Sequence, residues 1–238
     1  MAPTLAAVRH AVAMHPGRRL AVLAPAVALL LTGCGAGPEL SPPTGVDELQ
    51  IPTESPDSRD FVGTVDNPWF PLEPGRTWEY DVTGSAGALT VTAEPGPEVA
   101  GVATTARIAE QDGTDTVDWF AQDEGGNVWW FGREGVWQAG QGGAEAGLAM
   151  AAEPRVGDGY RTGYAVGVVE DQSEVLSLSG TRQVEAGSFS DLLVTEDTTP
   201  LEPGVVEHRY FASGVGLVFA EVVSGGTEST ELVAYTTN

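Results

Sequence analysis

Short apolar runs and turn residues alternate along the chain from Phe61 onward. The runs are rich in valine, threonine and aromatic residues, and glycine, proline, asparagine and aspartate separate them. This spacing is typical of an antiparallel all-β domain. The pattern predicts strands at residues 77–82, 88–93, 100–109, 116–122, 128–133, 161–169, 174–179, 181–185, 192–196, 205–211, 217–223 and 230–235.

Helical periodicity is weak throughout the chain. No window sustains a period of 3.6 residues over several turns, and the best helix candidate, residues 144–152, is one or two turns long. We therefore expect a single antiparallel domain with very little helix. Its sheet is expected to be strongly curved, as a sandwich or an incomplete barrel.

One predicted hairpin is dense in aromatic residues. Residues 118–132 read DWFAQDEGGNVWWFG, and a turn centred on Gly125-Gly126 joins the two strands. Such a turn pairs residues whose numbers sum to 251. One face then carries three pairs: Phe120 with Phe131, Asp118 with Arg133, and Gln122 with Trp129. The other face carries two pairs: Trp119 with Gly132, and Ala121 with Trp130.

Both faces of this hairpin therefore carry aromatic side chains, whereas a sheet with one wet face alternates apolar and polar residues. Either the hairpin is covered on both sides, or one aromatic face lines a cavity or groove. Core packing is expected for most of the aromatics, and the rest are candidates for binding sugars or apolar ligands. The candidate ligand-binding residues are Trp119, Trp129, Trp130, Phe131 and Trp137. Residues 139–152, AGQGGAEAGLAMAA, are expected to form either a lid over such a cavity or a plain loop.

The N-terminal residues predict export and lipid anchoring. An apolar run from Leu20 to Leu31 follows Arg18-Arg19 and is too short to span a bilayer, as is typical of a signal peptide. The following Leu31-Thr32-Gly33-Cys34 resembles the bacterial lipobox, which implies that Cys34 receives a diacylglycerol thioether and becomes the mature N-terminus. The two arginines partly resemble a twin-arginine signal, but general secretion fits better because the rest of that pattern is missing.

The sequence thus divides into three parts. Residues 1–33 form the signal peptide, residues 34–60 a disordered Pro-rich tether, and residues 61–238 the β domain. The predicted location is the extracytoplasmic face of the cell membrane, with the membrane as a partner through the lipid on Cys34.

Charge and cysteine content narrow the partners and sites. The 238-residue chain has a formal net charge of −23. After residue 33 it carries 34 acidic residues against 8 arginines, a net charge of −26, which disfavours nucleic acid and anionic lipid headgroups as partners. Cys34 is the only cysteine, so an internal disulfide or a Cys-rich metal site is excluded. We expect no cofactor.

Residues typical of catalysis or metal binding are sparse. His208 is the one histidine after the signal peptide, and we expect it to be structural and half-buried; one histidine cannot supply a typical zinc site. The carboxylates of Asp118 and Asp123 are candidates for glycoside hydrolysis, with surface charge as the alternative. Residues 112–115 and 170–171 offer oxygen ligands for calcium, but their spacing is not that of an EF-hand, so acidic turns are expected.

Several segments resemble a family of secreted and lipid-anchored bacterial proteins, chiefly actinobacterial, for which no activity is established. The matching stretches are NPWFPLEPGRTWEY at 67–80, DWFAQDEGGNVWWFG at 118–132, AEPRVGDGYRTGY at 152–164, VEAGSF at 184–189 and PLEPGVVEHRYFASGVGLV at 200–218. This resemblance implies a lipoprotein and supplies no catalytic residues.

The expected function is that of a non-enzymatic envelope lipoprotein. Its aromatic hairpin would bind a small apolar or glycan ligand, or an envelope partner. Two alternatives remain open from the sequence: a carboxylate-dependent glycan hydrolase, and a purely structural envelope protein. The sequence leaves the oligomeric state open.

Overall fold

Antiparallel strands make up nearly all of the regular structure. The computed structural model describes residues 56–84 and 87–236, which all belong to the unit Ser41–Asn238. Cys34, the signal peptide and the tether up to residue 55 lie outside the described residues. The last part of the predicted tether contains a single 3-10 turn at Ser58–Asp60, in which the Asp57 side chain accepts a hydrogen bond from the Arg59 backbone N–H. No helix within the described residues is long and apolar enough to cross a bilayer.

The fifteen strands have the following bounds. They are β1 Phe61–Val62, β2 Thr77–Val82, β3 Leu89–Val99, β4 Val102–Gln111, β5 Thr114–Asp123, β6 Val128–Arg133, β7 Trp137–Gln138, β8 Glu145–Met150, β9 Gly159–Arg161, β10 Gly163–Tyr164, β11 Gln172–Val184, β12 Gly187–Thr198, β13 Val206–Ala212, β14 Gly216–Ser224 and β15 Ser229–Thr236.

One continuous segment closes the sheet almost into a barrel. The strand order is β10-β8-β6-β5-β4-β3-β2-β15-β14-β13-β12-β11-β9, with β1 added to β5 and β7 to β6. The two end strands, β9 and β10, are separated in the chain by Thr162 alone. Because β9 pairs with β11 and β10 pairs with β8, residues 159–164 touch both ends of the sheet. The prediction of a curved antiparallel all-β fold is confirmed, in the form of an incomplete barrel.

Two predicted elements are wrong, and the separate strands predicted at 174–179 and 181–185 form one strand, β11. Residues 144–152 form no helix; they contain strand β8, which pairs with β6 and β10. Their alanine, leucine and methionine favour helix only weakly, and tertiary pairing overrides that preference. Residues 161–169 form no single strand, because the pairing passes from β9 to β10 at Thr162 and then ends in a turn closed by an Ala165–Val169 bridge.

The aromatic hairpin keeps only part of its predicted register. Asp118 pairs with Arg133 and Trp119 with Gly132, as predicted, but Phe120 then pairs with Trp130. Phe131 is the extra residue of a β-bulge at this point. The bulge places Trp130 on the same face as Phe120 and Asp118, which is the inner face of the barrel.

Aromatic side chains on the inner side of the barrel connect strands that are not neighbours in the sheet. Trp78 and Tyr80 on β2 reach past β15 to the start of β14, where they donate hydrogen bonds to the backbone oxygens of Val215 (2.7 Å) and Leu217 (3.0 Å). The β11–β12 hairpin folds over β14 and β15. There the backbone N–H of Ala186 donates to the carbonyl of Leu232 at 3.1 Å.

Candidate functional site

The five candidate ligand-binding aromatics are mostly buried. The exposed fraction is 7% for Trp129, 9% for Trp130, 2% for Phe131 and 7% for Trp137, and Trp119 is half-buried. Only Trp130 among them borders the interior cavity described below. The hairpin therefore presents no open aromatic face of the kind that the sequence suggested.

Specific contacts hold these rings in place. Trp129 donates its Nε1–H to Asp123 Oδ2 at 2.8 Å, and the Phe131 ring meets Phe61 edge-on at 5.2 Å between centroids. Trp130 packs edge-on against Trp137 at 4.9 Å. The protein thus engages a face or an edge of each of these rings, as is typical of core aromatics, although the buried Nε1–H of Trp137 makes no hydrogen bond within the described residues.

A cavity of about 470 Å³ lies inside the barrel. Part of its wall is apolar, formed by side chains that include Trp78, Leu89, Val91, Phe120, Trp130 and Leu217. Another part carries charged side chains, which include Arg107, Asp118, Arg133, Asp171, Asp197, Glu207 and Arg209. Residues 139–152 contribute Ala149 and Met150 to the wall as part of strand β8, so they form a fixed side of the cavity rather than a separate lid.

Asp118 joins two arginines on one wall of the cavity. Its carboxylate accepts hydrogen bonds from Arg133 Nε at 2.8 Å and from a terminal nitrogen of the same guanidinium at 3.1 Å. Arg107 approaches the same carboxylate only to 3.8 Å. Burial lowers the pKa of Arg107, although Tyr80 and Asp118 act in the opposite direction. The guanidinium nevertheless stays charged, as arginine does in proteins.

Arg209 forms a second charge cluster on another wall. Its guanidinium contacts Asp197 at 2.9 Å and Glu207 at 2.6 Å. Burial works to lower the pKa of Arg209, but the charges of these two carboxylates outweigh it and the pKa is raised. Although protein surrounds Arg209, 45% of its side-chain surface is open. We attribute that open surface to the cavity that the side chain borders.

The two clusters face each other across the interior. Strand β4, which carries Arg107, is separated from β13, which carries Arg209, by four strands of the sheet. The positive charge of Arg209 nevertheless lowers the pKa of Arg107. Both arginines border the same cavity, so the shorter path between their charges runs through the interior rather than along the sheet.

Two buried acceptors on β12 lack a protein partner. Thr195 Oγ1 and Asp197 Oδ1 make no hydrogen bond to the described residues, and Thr195 is only 2% exposed. The two residues are two positions apart on one strand, so their side chains lie on the same, cavity-facing side. Buried polar atoms are costly unless a water or ligand hydrogen-bonds to them.

Removing the shared carboxylate is expected to destabilise the domain. Asp118→Asn leaves Arg133 and Arg107 without their counter-ion, which costs about 2 kcal/mol of unfolding free energy; the cost is moderated because both arginines keep some solvent contact. Urea denaturation measures this difference. Asp115→Asn on the same strand, at an exposed position, serves as the control and is expected to stay within about 0.5 kcal/mol of the wild type. Equal midpoints for all three proteins would contradict the assigned role of Asp118.

His208 and Asp123 lie apart from the cavity. His208 is half-buried on β13, with Nε2 at 3.2 Å from Glu196 Oε2. Asp123 does not border the cavity; besides Trp129 it accepts a hydrogen bond from the Asn127 backbone N–H at 2.9 Å. The structure therefore does not bring Asp118 and Asp123 together as an acid pair.

The predicted calcium segments occupy turns. Asp112 and Gly113 form the β4–β5 turn with positive φ, and residues 170–171 lead into β11. Within residues 56–84 and 87–236, no three His, Cys, Asp or Glu side chains group as metal ligands.

Sequence reasoning missed most of the charged wall. Arg107 and Arg209 stand in predicted strands, Asp197 lies just beyond the strand predicted at 192–196, and only the Asp118–Arg133 pair was predicted. The only signal in the sequence was a charged residue within a strand. Alternation shows which residues share a face of the strand, but it does not show which face points into the barrel.

Comparison with known proteins adds little to this description. No protein-family model and no curated protein sequence matches the chain. A crystal structure of a Bacteroides fragilis protein with a YmcC-like fold, inferred to be exported, is 13% identical; the alignment covers 71% of this chain and 99% of that one, with a TM-score of 0.41. A protein of Parabacteroides distasonis, inferred to be a lipoprotein, is 10% identical over the same shares, with a TM-score of 0.30. Both similarities are too weak to assign this chain to a family, and its resemblance to the chiefly actinobacterial family stays a prediction.

Proposed function

We propose that this protein is a non-enzymatic lipoprotein on the extracytoplasmic face of the cell membrane, and that its β domain binds a small ligand inside the barrel. The observation that carries the proposal is the 470 Å³ cavity with mixed apolar and charged walls. That volume lies in the range of about 300–1,000 Å³ in which small-molecule sites occur.

The composition of the cavity favours binding over mere structural packing. Filling the interior with well-packed apolar residues would stabilise the domain at least as well as buried charges do. The chain instead places three arginines on the cavity wall and leaves Thr195 Oγ1 without a protein partner. Such convergent polar groups in an apolar cavity are typical of ligand sites.

Catalysis is less well supported than binding. Arg133 engages the cavity carboxylate Asp118, and Arg209 engages Asp197 and Glu207. His208, the one histidine of the predicted mature chain, does not border the cavity.

The membrane location rests on Cys34 and is tested separately. Cys34→Ser removes the thiol that the lipid would modify, so the variant is expected to leave the membrane fraction and appear as a soluble exported protein. Fractionation of cells that express each form, followed by immunoblotting, measures this. Retention of the variant in the membrane fraction at the wild-type level would contradict lipid anchoring through Cys34.

Ligand binding in the cavity is tested with a neutral apolar fluorophore, N-phenyl-1-naphthylamine. The wild type is expected to bind it at one site with increased fluorescence. Ala149→Phe places a ring in the cavity and is expected to weaken binding about tenfold or more. Ala103→Phe makes the same change at an exposed position of β4 and is expected to bind like the wild type. Equal binding by all three proteins would place the fluorophore elsewhere and contradict the proposal.

A further inference from the structure

We propose that the cavity binds a small zwitterion with an apolar body, such as a short apolar peptide with free termini. Its carboxylate would bind Arg107, and its ammonium group would bind Asp197 and Thr195. This inference rests on the proposed function and names the ligand class of the same site.

Arg107 has donors to spare for a carboxylate. Both oxygens of Asp118 already accept hydrogen bonds from Arg133, and Arg107 lies 3.8 Å from the nearer one. Its guanidinium makes no hydrogen bond to the residues that the structure describes, yet it borders the cavity. A guanidinium in this situation fits a carboxylate with two parallel hydrogen bonds. With Arg133 and Asp118, this wall carries a net charge of +1.

The wall around Arg209 has the opposite character. Asp197 binds Arg209 through Oδ2 at 2.9 Å, whereas its Oδ1 has no hydrogen-bond donor within the described part of the chain. Thr195 Oγ1, two positions earlier on the same strand, is likewise without a partner. An ammonium group has three N–H donors and would satisfy both acceptors once a rotation of the two side chains exposes these buried oxygens to the cavity. The charged residues on this side of the lining, Asp171, Asp197, Glu202, Glu207 and Arg209, sum to a net charge of −3.

Apolar residues complete the binding surface. Trp78, Leu89 and Val91 come from β2 and β3, and Phe120 and Trp130 from β5 and β6. An apolar body between the two charged ends would bury its surface there, which contributes about 25 cal/mol per Å² of apolar area.

Purely apolar and purely anionic ligands fit these walls less well. A purely apolar ligand would take water from Arg107 and Asp197 without replacing its hydrogen bonds, which is costly. A purely anionic ligand would approach a protein whose net charge after residue 33 is −26, and that charge repels it. A zwitterion has no net charge and offers a partner to each wall.

Titration calorimetry with the full-length protein measures its affinity for the dipeptide phenylalanyl-leucine. The wild type is expected to bind it, and either an N-acetyl cap or a C-terminal amide is expected to weaken binding about tenfold, since each cap removes a charged group. Arg107→Gln is expected to bind the free and the amidated dipeptide equally. Asp197→Asn is expected to bind the free and the acetylated dipeptide equally.

Several outcomes would overturn the ligand class. One is that the caps leave binding to the wild type unchanged, a result that needs no variant to fold. Another is that Arg107→Gln still discriminates against the amide. If the wild type binds N-phenyl-1-naphthylamine but no dipeptide, the zwitterion proposal is wrong and the proposed function stands. If it binds neither probe, both are contradicted.

Discussion

Trp130→Ala is expected to lower the unfolding free energy by about 3–5 kcal/mol, the cost typical of removing a large aromatic side chain from a core. The Trp130 ring stacks at 6.4 Å on Phe120 and meets Trp137 edge-on. Its Nε1–H donates to the carbonyl of Gly132 at 2.8 Å. A Cβ atom on Gly163 would lie 2.9 Å from the ring, so the neighbouring backbone already touches it.

Guanidinium denaturation followed by circular dichroism measures this loss. Trp119→Ala on the same hairpin is the matched control. Its half-buried ring lies on the opposite face of β5, so we expect a smaller loss of about 1–2 kcal/mol. A Trp130 variant that unfolds at the wild-type midpoint would show that the ring is not part of the core.

Gly147→Ala is expected to open the contact between β8 and the segment that closes the barrel. A Cβ atom at residue 147 would lie 2.3 Å from the carbonyl carbon of Thr162 and 2.5 Å from the backbone nitrogen of Gly163. Because these are backbone atoms, they cannot relieve the overlap by changing rotamer as a flexible side chain can, so the strands must separate. We expect a loss of about 3 kcal/mol, at the upper end of the usual overpacking cost.

Hydrogen exchange locates this effect. The amides of β8 and β10 are expected to exchange faster in Gly147→Ala, because their pairing is what the added methyl group displaces. Gly63→Ala is the control, since a Cβ atom there has nothing within 4 Å, and it should leave exchange and stability close to those of the wild type. Unchanged protection of β8 in Gly147→Ala would mean that the barrel does not depend on this close contact.

Local sequence patterns predicted much of the sheet. The strands at 77–82 and 128–133 have the predicted bounds, because alternating apolar residues and flanking turn residues define them locally. The pairing of Asp118 with Arg133 was also predicted, since both lie in one hairpin with a short, glycine-rich turn.

Features that depend on distant contacts were not predictable in this way. The bulge at Phe131 changes the pairing by one residue and moves Trp130 to the inner face. Strand β8 is formed through pairing with β6 and β10 rather than through its own composition. Neither feature leaves a signal that local propensity alone would detect.

The candidate site also depends on contacts between residues that are distant in the sequence. Arg107 and Arg209 are 102 positions apart in the chain and four strands apart in the sheet. Only the curvature of the sheet brings their side chains to one cavity. The aromatic hairpin, which the sequence suggested as a binding face, instead supplies one wall of that cavity through Trp130 and Phe120.

Native mass spectrometry tests the central proposal, a ligand held inside the barrel, most directly. The protein is purified from its own cell envelope without denaturation, alongside Ala149→Phe and Ala103→Phe. We predict that the wild type and Ala103→Phe carry a small molecule of defined mass that unfolding releases, and that Ala149→Phe carries none. The same bare mass for all three proteins, or an adduct that persists in Ala149→Phe, would contradict a ligand site in the cavity.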